Sequence, residues 1–353
     1  MLHDAAKEVI PKLSICITTF NRSALIGETL DSILIQTTDA SEVVVLDGGS
    51  TDATEQVLSD YTSRFSRLRY IRQDMNNGFD HDCDLCVKAA KGDYCWMMTD
   101  DDLLKPGAVA AILDTLSHDV SLVVVNTEAW DFRMSRVLQS RWIDMESDRM
   151  YGPDEMDRLF TDVSVIIPYV GAVVVKRSLW LSRQREQYFG SWFGYLGVIF
   201  QSPLPGGAIV IATPWIRYRR GNDHTWSSRT FEMFMINLPS LVQSLPLSSL
   251  AKAKVGGAEP WRNTGELLLW RGMGTYSLLE YRQWIRPHLK TVQDKLAPAF
   301  IAILPGPLLN ALLMLYFSLT RHRYRQAWPP ELVLQLLRES RFYLPQWFAL
   351  TRG

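Results

Sequence analysis

The chain has 353 residues, of which 47% are hydrophobic, 21% charged and 11% aromatic. This composition and length exclude a peptide hormone, a lone binding module and a disordered or fibrous chain, and predict one large domain with an appendage or two domains. The formal net charge of −1 averages two unlike halves: residues 1–200 carry 19 Lys and Arg against 30 Asp and Glu, and residues 201–353 carry 18 against 8.

Strand, loop and helix alternate through the first hundred residues. Apolar or β-branched runs predict strands at 13–19, 42–46, 69–72 and 94–98, and helices starting at Ser23, at Ser50 or Thr51, and at Asp80. Two more strands are predicted at 122–125 and 172–175, and beyond about residue 215 the pattern becomes a succession of helices. This alternation predicts an α/β fold with a mostly parallel sheet and helices on both faces.

The cysteines and the N-terminus indicate a reducing compartment. Cys83 and Cys86 lack a second pair of Cys or His at zinc-finger spacing, while Cys16 and Cys95 lie in predicted strands. We therefore expect reduced thiols in a cytosolic protein. Acidic residues stand where a signal peptide would need positive charge, so we do not expect a secreted first domain.

Polar clusters follow three of the predicted strands, at residues 19–22, 47–52 and 100–102. Because ligands bind at the carboxyl ends of strands in such folds, we expect these loops to line one crevice. Consecutive aspartates raise one another's pKa unless a cation neutralises them, and hard carboxylate oxygens select Mg²⁺ or Mn²⁺. The alternative is that Asp102 caps a helix starting near Pro106.

These motifs resemble, in order and spacing, those of family 2 glycosyltransferases of the GT-A fold. The residues that carry the resemblance are ITTFNR at 17–22, VLDGGSTD at 45–52, Asn77 and Gly78, and AKGDYCW at 90–96 before the three aspartates. The last stretch is also similar to abequosyltransferase-like enzymes of bacterial O-antigen synthesis. The resemblance is strong over residues 12–115 and thins to about residue 220.

The resemblance implies a GT-A nucleotide-sugar-binding catalytic domain over residues 1–220 that uses Mn²⁺ or Mg²⁺. The implied metal ligands are Asp100, Asp102 and His224. Together with the affinity of arginine for phosphate, it suggests donor contacts from Thr19, Phe20, Asn21, Arg22, Asp47, Gly48, Asp80, Asp100, Asp101, Arg219 and Arg220. Turn and cap chemistry is the alternative for Asp47 and Asp52, and a solvated helix start is the alternative for Asp80.

An inverting transfer also needs a general base close to the acceptor hydroxyl. Many family members supply it from a Glu-Asp pair, but residues 188–197 contain no acid here. Glu186 is the first candidate, with Asp162 and Asp223 as alternatives. Trp192 and Tyr195 are candidates for stacking on an acceptor sugar, with core packing as the alternative.

The basic region at 221–353 is expected to be helical and membrane-associating. Residues 296–320 carry no formal charge over 25 residues, long enough to span a bilayer, but prolines predict a break near Leu304. Arginines at 321, 323 and 325 follow, as expected beside an anionic cytoplasmic leaflet. We expect a monotopic or re-entrant attachment, with a buried helix pair or a true span as alternatives.

Further interfacial features are expected in the same region. Tryptophans suited to an interfacial belt lie at positions 261, 270, 284, 328 and 347. The segment 332–344 is expected to lie in the plane of the interface.

The sequence thus predicts an inverting glycosyltransferase of bacterial O-antigen or other surface-polysaccharide synthesis, at the cytoplasmic face of the inner membrane. Its expected partners are a nucleotide-diphospho-sugar donor, a polyprenyl-diphosphate-linked saccharide acceptor and an anionic membrane surface, with no nucleic acid. One alternative is a nucleotide-sugar-binding or scaffold protein, which the missing Glu-Asp pair favours. The other is a sugar nucleotidyltransferase, disfavoured because no glycine-rich, Arg-Lys-containing loop follows the first strand.

Overall fold

Ten strands form one sheet in the computed structural model, which describes residues 10–221, 229–255, 257–320 and 330–344. The strands are β1 (Leu13–Thr19), β2 (Ser41–Asp47), β3 (Leu68–Arg72), β4 (Tyr94–Met98), β5 (Leu103–Leu104), β6 (Leu122–Trp130), β7 (Val137–Gln139), β8 (Arg149–Tyr151), β9 (Val173–Lys176) and β10 (Ala208–Arg219). Their order is β3-β2-β1-β4-β9-β6-β10-β5, with β7 beside β6 and β8 beside β10.

The expected mostly parallel sheet is confirmed. β3, β2, β1 and β4 pair in parallel, and β10 pairs in parallel with β6. β9 runs antiparallel between β4 and β6, so β6 and β10 point the same way as β4. The carboxyl ends of β1, β2, β4, β6 and β10 therefore lie on one side of the sheet, which we call the carboxyl edge.

Helices fill the connections and then the C-terminal region. They are α1 (Ile26–Leu34), α2 (Thr54–Arg64), α3 (Phe79–Ala89), α4 (Ala108–Thr115), α5 (Met156–Asp162), α6 (Arg177–Ser182), α7 (Gly194–Phe200), α8 (Thr230–Glu232), α9 (Leu238–Ser244), α10 (Ser249–Lys254), α11 (Thr264–Gly272), α12 (Leu278–Glu280), α13 (Val292–Ile303), α14 (Gly306–Leu319) and α15 (Pro330–Glu339). π-helical turns extend α8 and α12, at Met233–Asn237 and Tyr281–Ile285.

The first two helices begin later than predicted. α1 starts at Ile26 and α2 at Thr54, and neither has a side-chain cap. The reason is that the polar residues between strand and helix bond across the two loops: the Ser23 hydroxyl donates to Asp52 at 2.8 Å. The predicted capping roles of Ser23, Ser50 and Thr51 are therefore wrong.

The main hydrophobic core lies on both faces of the sheet. β2 is buried along its whole length, as the continuous apolar run of a central parallel strand requires. The core also takes in buried residues of the first C-terminal helices, including Met233, Leu241 and Ala251. The last strand therefore ends near residue 220, but the helices up to α10 still pack against the main hydrophobic core.

A second and a third cluster hold the remaining helices. Trp261 and Trp270 are buried in the second, so the prediction that they form an interfacial belt is wrong. Val333, Leu334 and Leu337 of α15 are buried in the third, against α14, which contradicts an in-plane interfacial helix there. Trp328 and Trp347 lie outside the described residues.

The charge-free stretch is broken as predicted. It folds as the end of α13 and all of α14, which meet at 91°. No single helix among the described residues is long and apolar enough to cross a bilayer, whereas this bent pair meets that criterion jointly. Arg321, Arg323 and Arg325 lie outside the described residues.

Candidate functional site

The loops after β1 and β2 are locked together by side-chain hydrogen bonds. Asn21 adopts the left-handed region, with φ of 56°, which asparagine tolerates better than most residues. Its Oδ1 accepts the Thr51 N–H at 2.8 Å, and its own N–H donates to the Ser50 hydroxyl at 2.9 Å. Asn21, predicted to contact the donor, therefore shapes the loop pair at the carboxyl edge.

Asp52 completes this loop pair. Its carboxylate accepts the Thr54 N–H at 2.9 Å as well as the Ser23 hydroxyl. Partial burial opposes ionisation, but these hydrogen bonds outweigh it and lower the pKa of Asp52. This geometry agrees with the turn alternative for Asp52, although Asp52 does not cap α2.

Asp47 is fully buried at the end of β2. Its carboxylate accepts the Ser50 N–H at 2.8 Å and the Tyr70 hydroxyl at 2.8 Å. Burial and this contact raise the pKa of Tyr70 well above its usual value. Asp47 thus supports the turn, and any contact with a base would share its oxygens with these donors.

The first turn of α3 packs against the same loop. A Cβ added to Gly48 would lie 2.9 Å from Oδ2 of Asp82, so glycine at this position lets the Asp82 side chain approach the loop closely. Asp82 accepts from the Gln73 amide at 2.6 Å, and burial raises the pKa of Asp82. Of the acids in this helix, it is therefore Asp82 that lies beside the predicted donor loop.

The acidic loop after β4 meets the loop after β1. Nε of Arg22 lies 3.5 Å from Oδ1 of Asp100, and both side chains are nearly buried. Burial and the neighbouring Asp101 raise the pKa of Asp100 to about 7, against the opposing effect of Arg22. The expected convergence of the three loops is thus present in the structure.

Asp102 is completely buried and accepts three hydrogen bonds. Its donors are the Thr99 and Tyr169 hydroxyls, each at 2.5 Å, and the Arg219 N–H at 2.6 Å. Burial and Asp101 raise the pKa of Asp102 well above the usual value. Asp102 therefore ties β4 to the start of β9 and the end of β10. It does not cap α4, which begins at Ala108 after Gly107.

The Arg219 side chain braces the carboxyl edge from within. It is only 4% exposed, and it donates to the carbonyls of Asp101 and Phe132 and to Glu28, at 2.8, 2.7 and 2.5 Å. A guanidinium held in this way does not face a diphosphate, which corrects its predicted donor role. Arg220, which packs over the Tyr218 ring, remains a predicted donor contact.

The carboxylates in the loop after β4 provide the oxygen ligands that a divalent cation needs. Asp100 and Asp101 are partly exposed neighbours, and burial of Asp100 disfavours its ionisation. These hard oxygen donors fit Mg²⁺ or Mn²⁺, which usually needs only one or two protein carboxylates. Asp102 is fully buried, and both of its carboxylate oxygens already accept hydrogen bonds. Within the described ranges no three His, Cys, Asp or Glu side chains form a metal-binding group, and His224 lies outside those ranges.

Asp80 anchors the loop that precedes α7. Its two carboxylate oxygens accept the N–H groups of Trp192 and Gly194, each at 2.9 Å. Burial raises the pKa of Asp80, although these N–H groups oppose the shift. The structure thus gives Asp80 a loop-positioning role in place of the predicted donor contact or a solvated helix start.

Trp192 is held in an unusual backbone conformation by this anchor. Its φ is 69°, which is uncommon for a bulky residue and costs on the order of 1 kcal/mol. The indole stacks on Phe79, with ring centroids 6.2 Å apart, and remains partly exposed. Tyr195 instead is buried and donates to the Ile167 carbonyl, so it belongs to the core and not to a stacking surface.

The three predicted bases have different positions. Glu186 is exposed, three residues before Phe189, whose ring contacts His81 in the first turn of α3. Asp162 instead accepts from Tyr151 of β8, which pairs with the beginning of β10. That is about 20 Å from the carboxyl edge at ~3.3 Å per residue of β6, so Asp162 is corrected to a structural ion pair with Arg149. Asp223 lies outside the described residues.

Sequence reasoning missed the residues that support the acidic loop. The Tyr169 hydroxyl donates a hydrogen bond to Asp102, and Glu28 forms an ion pair with Arg219, which is far from it in sequence. No local motif marks either residue, because the sheet order alone brings them to the carboxyl edge. Cys16, Cys83, Cys86 and Cys95 are all buried free thiols, in agreement with the expected reduced state.

Comparisons with known proteins fit this architecture. Residues 14–176 match the family model for Glycosyl transferase family 2. Abequosyltransferase RfbV of Salmonella typhimurium is 24% identical over 225 residues, covering 60% of this chain and 67% of that protein. Chondroitin synthase of Escherichia coli is 34% identical over 126 residues, which are 36% of this chain but only 18% of the synthase.

Other relatives extend the same pattern. The GalNAc(5)-diNAcBac-PP-undecaprenol beta-1,3-glucosyltransferase of Campylobacter jejuni is 28% identical over 118 residues, 33% of this chain and 38% of that enzyme. The structure of S. aureus TarS 1–349 with UDP-GlcNAc has a TM-score of 0.57 at 16% identity, covering 93% of this chain and 92% of that one. Mannosyltransferase PcManGT from Pyrobaculum calidifontis, with GDP-Man and Mn²⁺, has a TM-score of 0.51 at 17% identity, covering 93% and 84%. These structural likenesses establish the fold, which is the expected GT-A fold.

Proposed function

Because residues 14–176 form a family 2 glycosyltransferase domain, we propose that this glycosyltransferase moves a sugar from a nucleotide-diphospho-sugar to a saccharide acceptor with inversion. The observation that carries the proposal is the ion pair between Arg22 and Asp100, where the loops after β1 and β4 converge. Structural neighbours with UDP-GlcNAc and GDP-Man support a nucleotide-sugar donor.

The reaction requires one bond to form as another breaks. The acceptor hydroxyl oxygen bonds to the anomeric carbon, the bond from that carbon to the diphosphate oxygen breaks, and a base takes the hydroxyl proton. We propose that Arg22 contacts the departing diphosphate, because it lies beside Asp100 and arginine suits phosphate oxygens. Glu186 is the described residue that we propose as base, since it is exposed and leads into the loop before α7.

Asp100 and Asp101 would hold Mn²⁺ or Mg²⁺. When bound, the cation supplies positive charge that stabilises the diphosphate leaving group. The chain's own contribution is to keep both carboxylates at the carboxyl edge, through the brace of Arg219 on the Asp101 carbonyl and the pair of Asp100 with Arg22. The ionised form of Asp100 is the one that binds a cation, and because the pKa of Asp100 is raised to about 7, this form predominates only above that pH when no cation is bound.

The acceptor is proposed to bind on the α3–α7 side, against Trp192 and Phe79. Aromatic rings bury the apolar faces of sugars, and this pair remains partly exposed at the N-terminal end of both helices. The name of the Campylobacter jejuni relative, which includes PP-undecaprenol, supports the proposal of a polyprenyl-diphosphate-linked saccharide acceptor.

A transfer assay with the purified full chain tests the proposal. We expect release of nucleoside diphosphate from one of a panel of nucleotide-diphospho-sugars, abolished by EDTA and restored by Mn²⁺ or Mg²⁺, with sugar appearing on a lipid-linked oligosaccharide acceptor. Binding of donor without turnover under any metal would instead support the scaffold alternative. Formation of nucleotide sugar from a nucleoside triphosphate and a sugar phosphate would support a nucleotidyltransferase.

A further inference from the structure

Helix α14 is apolar all round, and among the described residues its neighbours cover one of its faces. Gly306, Asn310 and Phe317 are buried on the covered face. There the Asn310 amide donates to the carbonyls of Gly272 in α11 and Leu337 in α15, at 3.0 and 2.8 Å. This fixes which side of α14 faces the protein. A helix that is hydrophobic all round is normally buried in a protein core or in a membrane.

The opposite face of α14 is a row of exposed large apolar side chains. The row consists of Leu308, Leu312, Leu315, Tyr316 and Leu319, whose exposed fractions run from 49% to 76%. Spacings of three and four residues place them on one side of the helix. The row therefore forms a continuous stripe and not scattered single exposures, which would need no explanation.

Helix α13 carries a second row of the same kind. Val292, Leu296, Phe300 and Ile303 are 57% to 74% exposed, while Pro298, Ile301 and Ala302 are buried on the other side. Arg271 donates to the Leu304 carbonyl at 2.6 Å and holds the corner between the helices. We call the two rows together the apolar face.

The charge around the apolar face is positive. The described residues 281–320 and 330–344 contain six Lys and Arg and three Asp and Glu. Arg282, Arg286 and Lys290, just before α13, are exposed and have no ion-pair partner among the described residues. A basic surround with an apolar centre is the pattern of a segment that lies on an anionic bilayer.

We propose that the apolar face of α13 and α14 docks on the surface of an anionic lipid bilayer, with both helices lying in the interface. The 91° bend and the short helices argue against a straight span. A lipid surface explains both the uncharged stripe and its basic surround, whereas a second copy of the chain would bring two positively charged surrounds together. The proposal is independent of the transferase chemistry, since binding to vesicles requires no donor or acceptor.

The test is co-sedimentation of the full chain with phosphatidylcholine vesicles, with and without phosphatidylglycerol. We expect binding to the anionic vesicles that weakens with added salt. The variant Leu308→Glu/Leu312→Glu/Leu315→Glu should bind at least about tenfold more weakly, because three acids then enter the interface. The matched control is Leu250→Glu on α10, which is 68% exposed and should bind like the wild type.

A milder variant and a measurement of mass keep the test decisive. Leu312→Gln alone should weaken vesicle binding while thermal unfolding and nucleoside diphosphate release stay at wild-type values, so that a fold defect in the triple variant is recognised. Wild-type protein that stays in the supernatant with anionic vesicles overturns the proposal. So does a homo-oligomer, measured by light scattering, that the triple variant converts to monomers.

Discussion

The carboxyl edge of the sheet and the apolar face of α13 and α14 depart from the usual burial pattern in opposite directions. At the carboxyl edge, Asp47 and Asp102 are fully buried and Asp100 is nearly so. On α13 and α14, nine large apolar side chains are exposed. In water, carboxylates are normally exposed and large apolar side chains are normally buried.

The difference lies in how each region is stabilised by the rest of the chain. The buried carboxylates are held by specific hydrogen bonds, as the three donors to Asp102 demonstrate. The leucines of the exposed stripe on α14 are each more than half exposed, and hydrophobic stabilisation requires a surface that covers them. The first region is thus a preorganised polar site, and the second is a surface whose free energy falls when it is covered.

The largest effect is expected from Asp100→Asn. Loss of a carboxylate that holds the cation should lower the rate of sugar transfer roughly 1000-fold, about 4 kcal/mol in the activation free energy, measured as product formation under saturating donor. Asp93→Asn is the control, since Asp93 lies at the amino end of β4, is 59% exposed and pairs only with Lys12. Wild-type turnover in Asp100→Asn would remove the carboxyl edge from the mechanism.

A pH dependence of stability follows from the raised pKa of Asp100. With its folded-state pKa at about 7 and its usual value at 3.8, the folded chain binds more protons than the unfolded chain between these pH values. The free energy of unfolding should therefore fall as pH rises through this window, by at most about 4 kcal/mol. Urea denaturation in EDTA at several pH values measures it. Asp100→Asn should have a flatter profile, and identical profiles would contradict the assignment.

Tyr169→Phe tests whether a buried hydrogen bond at the carboxyl edge supports activity as well as stability. Removing the hydroxyl that donates to Asp102 should lower the free energy of unfolding by about 1–2 kcal/mol, and transfer should fall because the acidic loop loses its support. Tyr94→Phe is the matched control: its buried hydroxyl donates to the Val120 carbonyl at 2.9 Å, at the opposite edge. We expect similar destabilisation there with unchanged kcat, and equal activity losses in both would refute a positioning role for Tyr169.

Trp192→Ala is expected to have the smallest effect. Loss of one stacking ring, worth about 1 kcal/mol, should raise the KM for acceptor roughly fivefold while donor hydrolysis stays unchanged. The matched control is Trp215→Ala, in β10, where the side chain is also partly exposed. A change in KM for the donor instead of the acceptor would move Trp192 out of the proposed acceptor side.

Much of the fold followed from local pattern. β4 occupies the predicted residues, β1 likewise, and the break near Leu304 lies between α13 and α14. Helix starts were less predictable, because Ser23 and Asp52 satisfy their hydrogen bonds with each other across two loops and not within a helix turn. The sequence pattern of α15 predicts a helix in the membrane interface, yet the apolar side of α15 packs on α14. An amphipathic pattern identifies an apolar face but does not say which surface covers it.

The sequence by itself determined the strand-end position of Asp100, Asp101 and Asp102, and the charge-free stretch in a basic region. Periodicity and charge are local properties that can be determined from the sequence alone. Only the tertiary structure decided which acids face the crevice, because the sheet order sets β9 beside β4 and sets β10 beside β5, the short strand that follows the acidic loop. In the folded chain, Tyr169 and Arg219 donate hydrogen bonds to Asp102. Asp162 lies at the opposite edge of the sheet, where it accepts from Tyr151. Asp80 accepts from the backbone of the loop before α7. Hydrogen-bond partners are set by proximity in space, which spacing along the chain does not encode.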